Sequence, residues 1–264
     1  MEYQGDLRKM RTTLDEEVRY FLGTEDSFIE MNGLLGTSLH LAYSGEIHCV
    51  SCGRTIKKPF GQGFCYPCFR DAPEAAECII RPELCEAHLG KGRDPEWEER
   101  NHNQPHVVYL ALSSGVKVGI TRETQVPTRW IDQGASKALV IARVPYRRLA
   151  GEIEVALKEH FTDKTNWQRM LKNQIVDDTL LEAQGMVVEM LEEPFQQYLT
   201  APEAPLEIPY PVLAYPEKVK SINLLKLPEY DGKLTGIKGQ YLIFEDGMVF
   251  NVRNHSGFHV RINA

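Results

Sequence analysis

This chain has no long hydrophobic run. Its longest apolar stretch is the six residues Val107 to Leu112, far below the ~20 that cross a bilayer as a helix, so a transmembrane helix is excluded. The opening MEYQGDLRKM contains no apolar h-region; no secretory signal is read there, and a cytoplasmic location with no membrane partner is expected. There is no internal repeat and no low-complexity tract, and 42% hydrophobic with 25% charged residues is ordinary globular composition. Wholesale disorder and collagen-like structure are therefore excluded. An excess of positive charge is missing as well: the formal net charge is −7, unlike that of a protein that coats nucleic acid by bulk attraction.

What is present begins with length. At 264 residues the chain has room for two domains and allows three, at roughly 100 to 200 residues each. Charge is unevenly spread along it. Residues 104–173 carry 11 Lys and Arg against six Asp and Glu, a local +5 that leaves −12 for the rest. One basic segment in an acidic chain suggests a local anion site, and phosphate is the commonest such anion. A solvated mixed-charge surface is the alternative.

In the first 47 residues the apolar stretches Val18–Leu22, Phe28–Met31 and Leu39–Tyr43 alternate with Gly23, Gly33, Gly36 and Gly45, the spacing of a small β-meander. Residues 70–103 are polar and irregular, with a short helical patch at Pro82–His88. Val107–Leu112 and Val116–Ile120 flank Ser113-Ser114-Gly115, which reads as a hairpin. A helix can open at Pro127, and Ala138–Val144 is a further strand. Ala150, Ile153, Ala156, Leu157 and Phe161 mark a helix over 149–161, with His160 expected to line the core. Helices are also expected over 166–171 and 179–191. Five prolines between Pro202 and Pro216 impose an extended crossing segment, and Asp246-Gly247 within 241–252 signals a hairpin near the end. The expected fold class is α+β. Its expected parts are an N-terminal β segment (1–47), a metal-binding region (48–103), a central α/β domain (104–173), and a helical, proline-rich connection with a C-terminal β region (174–264).

Four of the six cysteines form Cys49-Val50-Ser51-Cys52 and Cys65-Tyr66-Pro67-Cys68, with 12 residues between the pairs. A CxxC loop points both sulfurs at one place, and two such loops supply the four thiolates of a tetrahedral zinc site, a zinc ribbon. Disulfides are disfavoured in a cytoplasmic chain, and unligated buried cysteines seldom come as two such pairs. Gly53 follows the second ligand, where a tight knuckle needs room. Cys78, Cys85 and His88 offer three ligands for a second zinc, Cys85 and His88 sharing a helical face, with His102 or His106 as a fourth. Small core cysteines are the alternative.

VVYLALSSGVKVGITRETQVPTRWIDQGASKALVIARV, followed by EIEVALKEHFTDKTNW, resembles the core of an uncharacterised bacterial family that joins a CxxC/CxxC zinc ribbon to a GIY-YIG-like nuclease domain. The resemblance runs over most of the chain, including GIKGQYLIFEDG. The two motifs of that superfamily fall on Val107-Val108-Tyr109 and Lys117-Val118-Gly119. The resemblance implies Tyr109, Arg129, Glu154 and Asn166 as catalytic residues, Glu154 as the ligand of Mg²⁺ or Mn²⁺, and Gly119 and Thr121 as cofactor-binding positions. Val107 stands where the first motif has glycine, and Val118 where the second has tyrosine.

These residue types suit phosphodiester hydrolysis: Tyr109 to orient or deprotonate water, Arg129 to fork onto phosphate oxygens, Glu154 to hold Mg²⁺. At ~100° per residue Glu154 projects ~20° from Phe161, at the rim of the apolar stripe, where a carboxylate can line a cleft. Read structurally, Tyr109 is a strand aromatic, Glu154 pairs with Lys158 at i, i+4, and Asn166 caps the helix that follows it. Two functions are in competition. One is nucleic-acid binding with metal-dependent phosphodiesterase activity. The other, which Val118 favours, is a non-catalytic zinc-stabilised interaction module on the same fold, with Arg129 and Trp130 as binding residues.

Overall fold

The chain is an α+β protein, described by a computed structural model for residues 1–24, 27–161, 165–175 and 179–264. Asp163 and Lys164 of the basic segment lie outside the described residues. The elements begin with β1 (Glu2–Asp6), β2 (Arg11–Leu14), β3 (Val18–Gly23), β4 (Phe28–Glu30), β5 (Ser38–Ile47), α1 (Tyr66–Asp71) and α2 (Pro95–Asn101). Then come β6 (His106–Leu112), β7 (Val116–Arg122), α3 (Thr128–Asp132), β8 (Lys137–Val144), α4 (Arg147–Leu157), α5 (Trp167–Leu171), α6 (Leu180–Met190) and α7 (Glu193–Gln196). The chain ends with β9 (Leu206–Glu207), β10 (Lys220–Ser221), β11 (Glu229–Lys238), β12 (Tyr241–Phe244), β13 (Met248–Asn251) and β14 (Phe258–Asn263). It forms two compact units, one of Met1–Arg70 with Ile208–Ala264 and the other of Asp71–Glu207.

In the first unit one sheet runs in the order β1-β14-β5-β11-β12-β13-β10, so strands from both ends of the chain share it. In β14, Phe258, Val260 and Ile262 are buried while the residues between them are not, the period of two that fixes one face on a core. The meander expected at the N-terminus is β2-β3-β4, and it stops there: β5 leaves it to pair with β11 and β14. The terminal hairpin forms as expected, with Ile243 opposite Val249 and Gly247 at φ +82° in the turn. The proline-rich segment is extended. Its later part lies along β11, where Leu213 N–H donates to Thr235 O at 2.8 Å and Ile237 N–H to Pro211 O at 2.9 Å.

The second unit is built on the sheet β7-β6-β8-β9. The Ser113-Ser114-Gly115 turn sets the register, with Leu112 opposite Val116 and Tyr109 opposite Gly119. Val108, Leu110 and Leu112 on one face of β6 pack with Leu139 and Ile141 of β8, Ala150, Ile153 and Leu157 of α4, and Leu180, Ala183 and Val187 of α6. Those helix positions recur at i, i+3, i+7, so each helix offers one apolar stripe. α4 ends at Leu157 rather than running to Phe161, although Phe161 still packs against the same core and its N–H donates to Leu157 O at 2.9 Å; His160 is exposed, not core-lining. The expected patch at Pro82–His88 is a pair of short 3-10 turns, Pro82–Leu84 and Ala87–Leu89. No helix of the described residues is long and apolar enough to cross a membrane.

Candidate metal centre

Within the first unit, Cys49, Cys52, Cys65 and Cys68 bring their sulfurs within 4.8 Å of one another, with Cys52 and Cys65 Sγ at 3.8 Å. Gly53 N–H bonds to Cys49 O at 2.9 Å and Cys49 N–H to Arg54 O at 2.9 Å, which closes the first knuckle. Gly53 sits at φ +73°, a left-handed conformation that glycine adopts readily. A Cβ there would meet nothing within 4 Å, so this glycine serves conformation, not the room expected from the sequence. The second knuckle rests on Gly63, whose carbonyl accepts from Val50 N–H at 2.9 Å and where a Cβ would lie 2.7 Å from Ser256 O. The Cys65 amide donates to Cys49 Sγ at 3.1 Å.

Burial raises the Cys49 thiol, but N–H donors from Cys52, Cys65 and Ser51 outweigh it and bring it down to about 6. Cys68 is pushed up to about 12, chiefly by its hydrogen bond with Cys65. Sulfurs this close cannot all ionise without a cation among them. The set is compatible with zinc in identity, number and spacing.

Two other groups of ligating side chains meet in the described residues. In the second unit Cys78, Cys85, Glu98 and His102 lie within 4.8 Å of one another. His88 is not in that group: its ring stacks on Tyr146 at 4.4 Å. His106 is not in it either, and bonds through Nδ1 to Gln104 O at 2.7 Å. In the first unit Asp6 Oδ1 meets Nδ1 of His48 at 2.8 Å and of His259 at 2.9 Å. Asp6 and His259 are direct cross-strand partners, separated by almost the whole chain, and no sequence pattern announces them.

The remaining candidates lie in the central sheet. Tyr109 has 0% exposure, donates its hydroxyl to Gln133 Oε1 at 2.9 Å, and meets the Trp130 ring edge-on at 5.8 Å. Burial raises its pKa, Arg129 opposes the rise and Glu154 adds to it, so the structure brings Tyr109, Arg129 and Glu154 into electrostatic reach of one another. Glu154 is 8% exposed and pairs with Lys158 at 3.4 Å. Asn166 caps α5, its side chain accepting from Arg169 N–H at 3.1 Å. Thr121 is buried, opposite Val107. Gln133 escaped the sequence reading, although it follows Arg129 at i+4 and so shares its side of the turn.

Residues 36–260 match the family model described as protein of unknown function, DUF2797. The chain belongs to this family. The span shared with DUF2797 contains both cysteine groups and all of β6, β7 and β8, while Asp6 falls outside it. No curated protein and no solved structure matches the chain.

Gly119 has a packing role in this DUF2797 chain. A Cβ there would sit 2.6 Å from the Tyr109 hydroxyl oxygen, so the bare backbone makes space for the ring opposite. Gly119→Ala is expected to destabilise the fold by about 1–3 kcal/mol, the usual range for overpacking, and Tyr109→Phe should recover part of that loss. Urea unfolding of the single and double variants checks it; additive losses would contradict the contact.

Proposed function

We propose that this protein is a zinc-stabilised, non-catalytic interaction module on a GIY-YIG-like fold, in which residues suited to phosphodiester hydrolysis serve as core. The observation that carries this reading is the Tyr109 hydroxyl, at 0% exposure and donated to Gln133. A tyrosine that positions or deprotonates water has to reach it within about 2.6–3.2 Å. Glu154 and Asn166 are engaged with Lys158 and the α5 cap. Some of the basic side chains are also engaged internally. Arg143 pairs with Glu123, Arg148 with Glu152, and Arg147 donates to the carbonyls of Cys78 and Ile79. Cys49, Cys52, Cys65 and Cys68 hold the zinc. A second reading, a nucleic-acid-binding phosphodiesterase with Mg²⁺ or Mn²⁺ on Glu154, is favoured by the joint action of Arg129 and Glu154 on Tyr109.

A cleavage screen over single- and double-stranded DNA and RNA with Mg²⁺ or Mn²⁺ separates the two. The expected result is no metal-dependent cleavage, with Tyr109→Phe lowering stability by about 1 kcal/mol because Gln133 loses its donor. Cleavage that Glu154→Gln abolishes at unchanged Tm would establish the nuclease instead. Nucleic-acid affinity that falls steeply with salt and suffers more from Arg129→Ala than from Lys218→Ala would support only the binding half of that second reading.

A further inference from the structure

Between Asp71 and α2 the second unit has only short 3-10 turns, at Pro73–Ala75, Glu77–Ile79, Pro82–Leu84 and Ala87–Leu89. This stretch builds little apolar core: Ile79, Ile80, Leu84 and Leu89 are exposed. Beside the small apolar residues Ala76, Pro82 and Ala87, it and α2 bury polar groups, with Cys85 at 2%, Glu98 at 3% and His102 at 2% exposure. Thiol, carboxylate and imidazole gathered out of water are costly unless a countercharge joins them. Among the cations nearby, Lys91 and Arg93 line a cavity with Cys78 and Glu98, and Arg147 has its guanidinium on the Cys78 and Ile79 carbonyls at 3.0 Å.

The geometry points to a second zinc site, formed by Cys78 Sγ, Cys85 Sγ, His102 and Glu98, whose ligand atoms lie within 4.8 Å of one another. Two thiolates, an imidazole and a carboxylate complete a tetrahedral set for zinc. α2 presents Glu98 and His102 at i, i+4, on one face. The helix is anchored by Asp94, whose side chain accepts from Glu96 N–H at 3.1 Å and Trp97 N–H at 3.0 Å. His102 Nδ1 and Glu98 Oε2 already share a hydrogen bond, so both ligand atoms face one point. The Trp97 ring packs edge-on against His102 at 4.9 Å, and Arg147 fixes the turn that carries Cys78. Gly92 leaves space for the carboxylate, since a Cβ there would sit 2.6 Å from Glu98 Oε1. A cavity of 230 Å³, lined by Cys78, Lys91, Gly92, Arg93 and Glu98 among others, supplies the entry path a metal site needs. The same segment meets α4 at Gly151, where a Cβ would lie 2.4 Å from Glu83 N. The ion thus ties α2 to an irregular stretch that itself packs on α4.

Elemental analysis of the full-length protein, purified without chelator, is expected to find about two zinc ions per chain, and X-ray absorption about three sulfurs per zinc as the average of a four-thiolate and a two-thiolate site. Cys85→Ser should lower the count to about one and raise the sulfur average to about four, whereas Cys52→Ser removes the other ion and lowers the average to about two. His88→Ala should leave the count unchanged. Gly92→Ala keeps every ligand and tests the site without removing one. It should speed transfer of one zinc to a chelator by about 10–100-fold, the usual effect of disturbing what orients a ligand, and leave the other ion's rate alone. About one zinc per wild-type chain, unchanged in Cys85→Ser, would overturn the assignment, as would identical release kinetics in Gly92→Ala. Loss of the ion at Cys49, Cys52, Cys65 and Cys68 with the Cys85-dependent ion retained would sink the zinc of the proposed function and leave this site standing.

Discussion

Removing the metal from Cys49, Cys52, Cys65 and Cys68 is expected to unfold residues 48–69 while the strands of the second unit keep their protection. The segment lacks the means to fold on apolar burial: Cys49, Phe64 and Cys65 are buried, but Phe60, Tyr66 and Phe69 are exposed. Its backbone order rests on the isolated bridges His48–Thr55 and Phe60–Phe64, on the two glycine knuckles and on the short helix α1. Binding free energies of structural zinc run to about 10–16 kcal/mol in small modules, as large as the ~5–15 kcal/mol that holds a whole domain together. Hydrogen exchange by mass spectrometry, with and without chelator, should show amides of 48–69 losing protection by orders of magnitude, and Cys49→Ser should reproduce the effect. Gly63→Ala, which forces a Cβ against Ser256 O and Val50, should weaken the site with all four ligands intact. Equal protection with and without chelator, together with four titratable thiols in the folded protein, would remove zinc from the account.

The elements and sites that could be read from sequence were those coded locally. The hairpin of β6 and β7 follows from two β-rich runs around a Ser-Ser-Gly turn, α4 from its apolar period, and the four-cysteine group from two CxxC spacings. What escaped depends on distant pairing. That β14 lies between β1 and β5 joins residues from opposite ends of the chain, so Asp6, His48 and His259 could not be seen to meet. Glu98 was hidden in a charged run that reads as solvated surface, and His102 stood only as one of two alternatives for a fourth ligand; the partners Cys78 and Cys85 make the burial of that helix face intelligible. His88, three residues from Cys85, looked the better ligand because spacing is visible in sequence and a ring stacked on Tyr146 is not. Tyr109 illustrates the same limit for a site. Its strand position was legible, while the hydroxyl contact with Gln133 required the path of the chain after α3.

Replacing Lys238 with methionine is expected to stabilise the protein at neutral pH, and to stop doing so in alkali. Lys238 is 0% exposed at the end of β11, with its ammonium 5.3 Å from the ring centres of both Tyr210 and Tyr215 in the proline-rich segment. Burial pulls its pKa down to about 8, against ~10.4 in an unfolded chain. Between those values the unfolded chain holds a proton that the folded one has released, so this residue's contribution to stability rises with pH across the window. Below it both states are protonated and the whole penalty stands, about 3 kcal/mol for a shift of this size; above it both are neutral and the penalty is gone. Methionine keeps the unbranched volume and removes the charge, giving up the ammonium's contacts, among them a cation–π attraction of roughly 0.5–2 kcal/mol. Lys238→Met should therefore gain about 1–3 kcal/mol at pH 7, and the gain should shrink toward zero near pH 10.5, while Lys238→Arg, which retains the charge, should gain nothing. Urea midpoints of the three proteins at both pH values check this. A methionine variant weaker than wild type at pH 7 would mean that the ammonium's contacts outweigh its desolvation, and that the proline-rich segment is fastened to β11 by this charge rather than in spite of it.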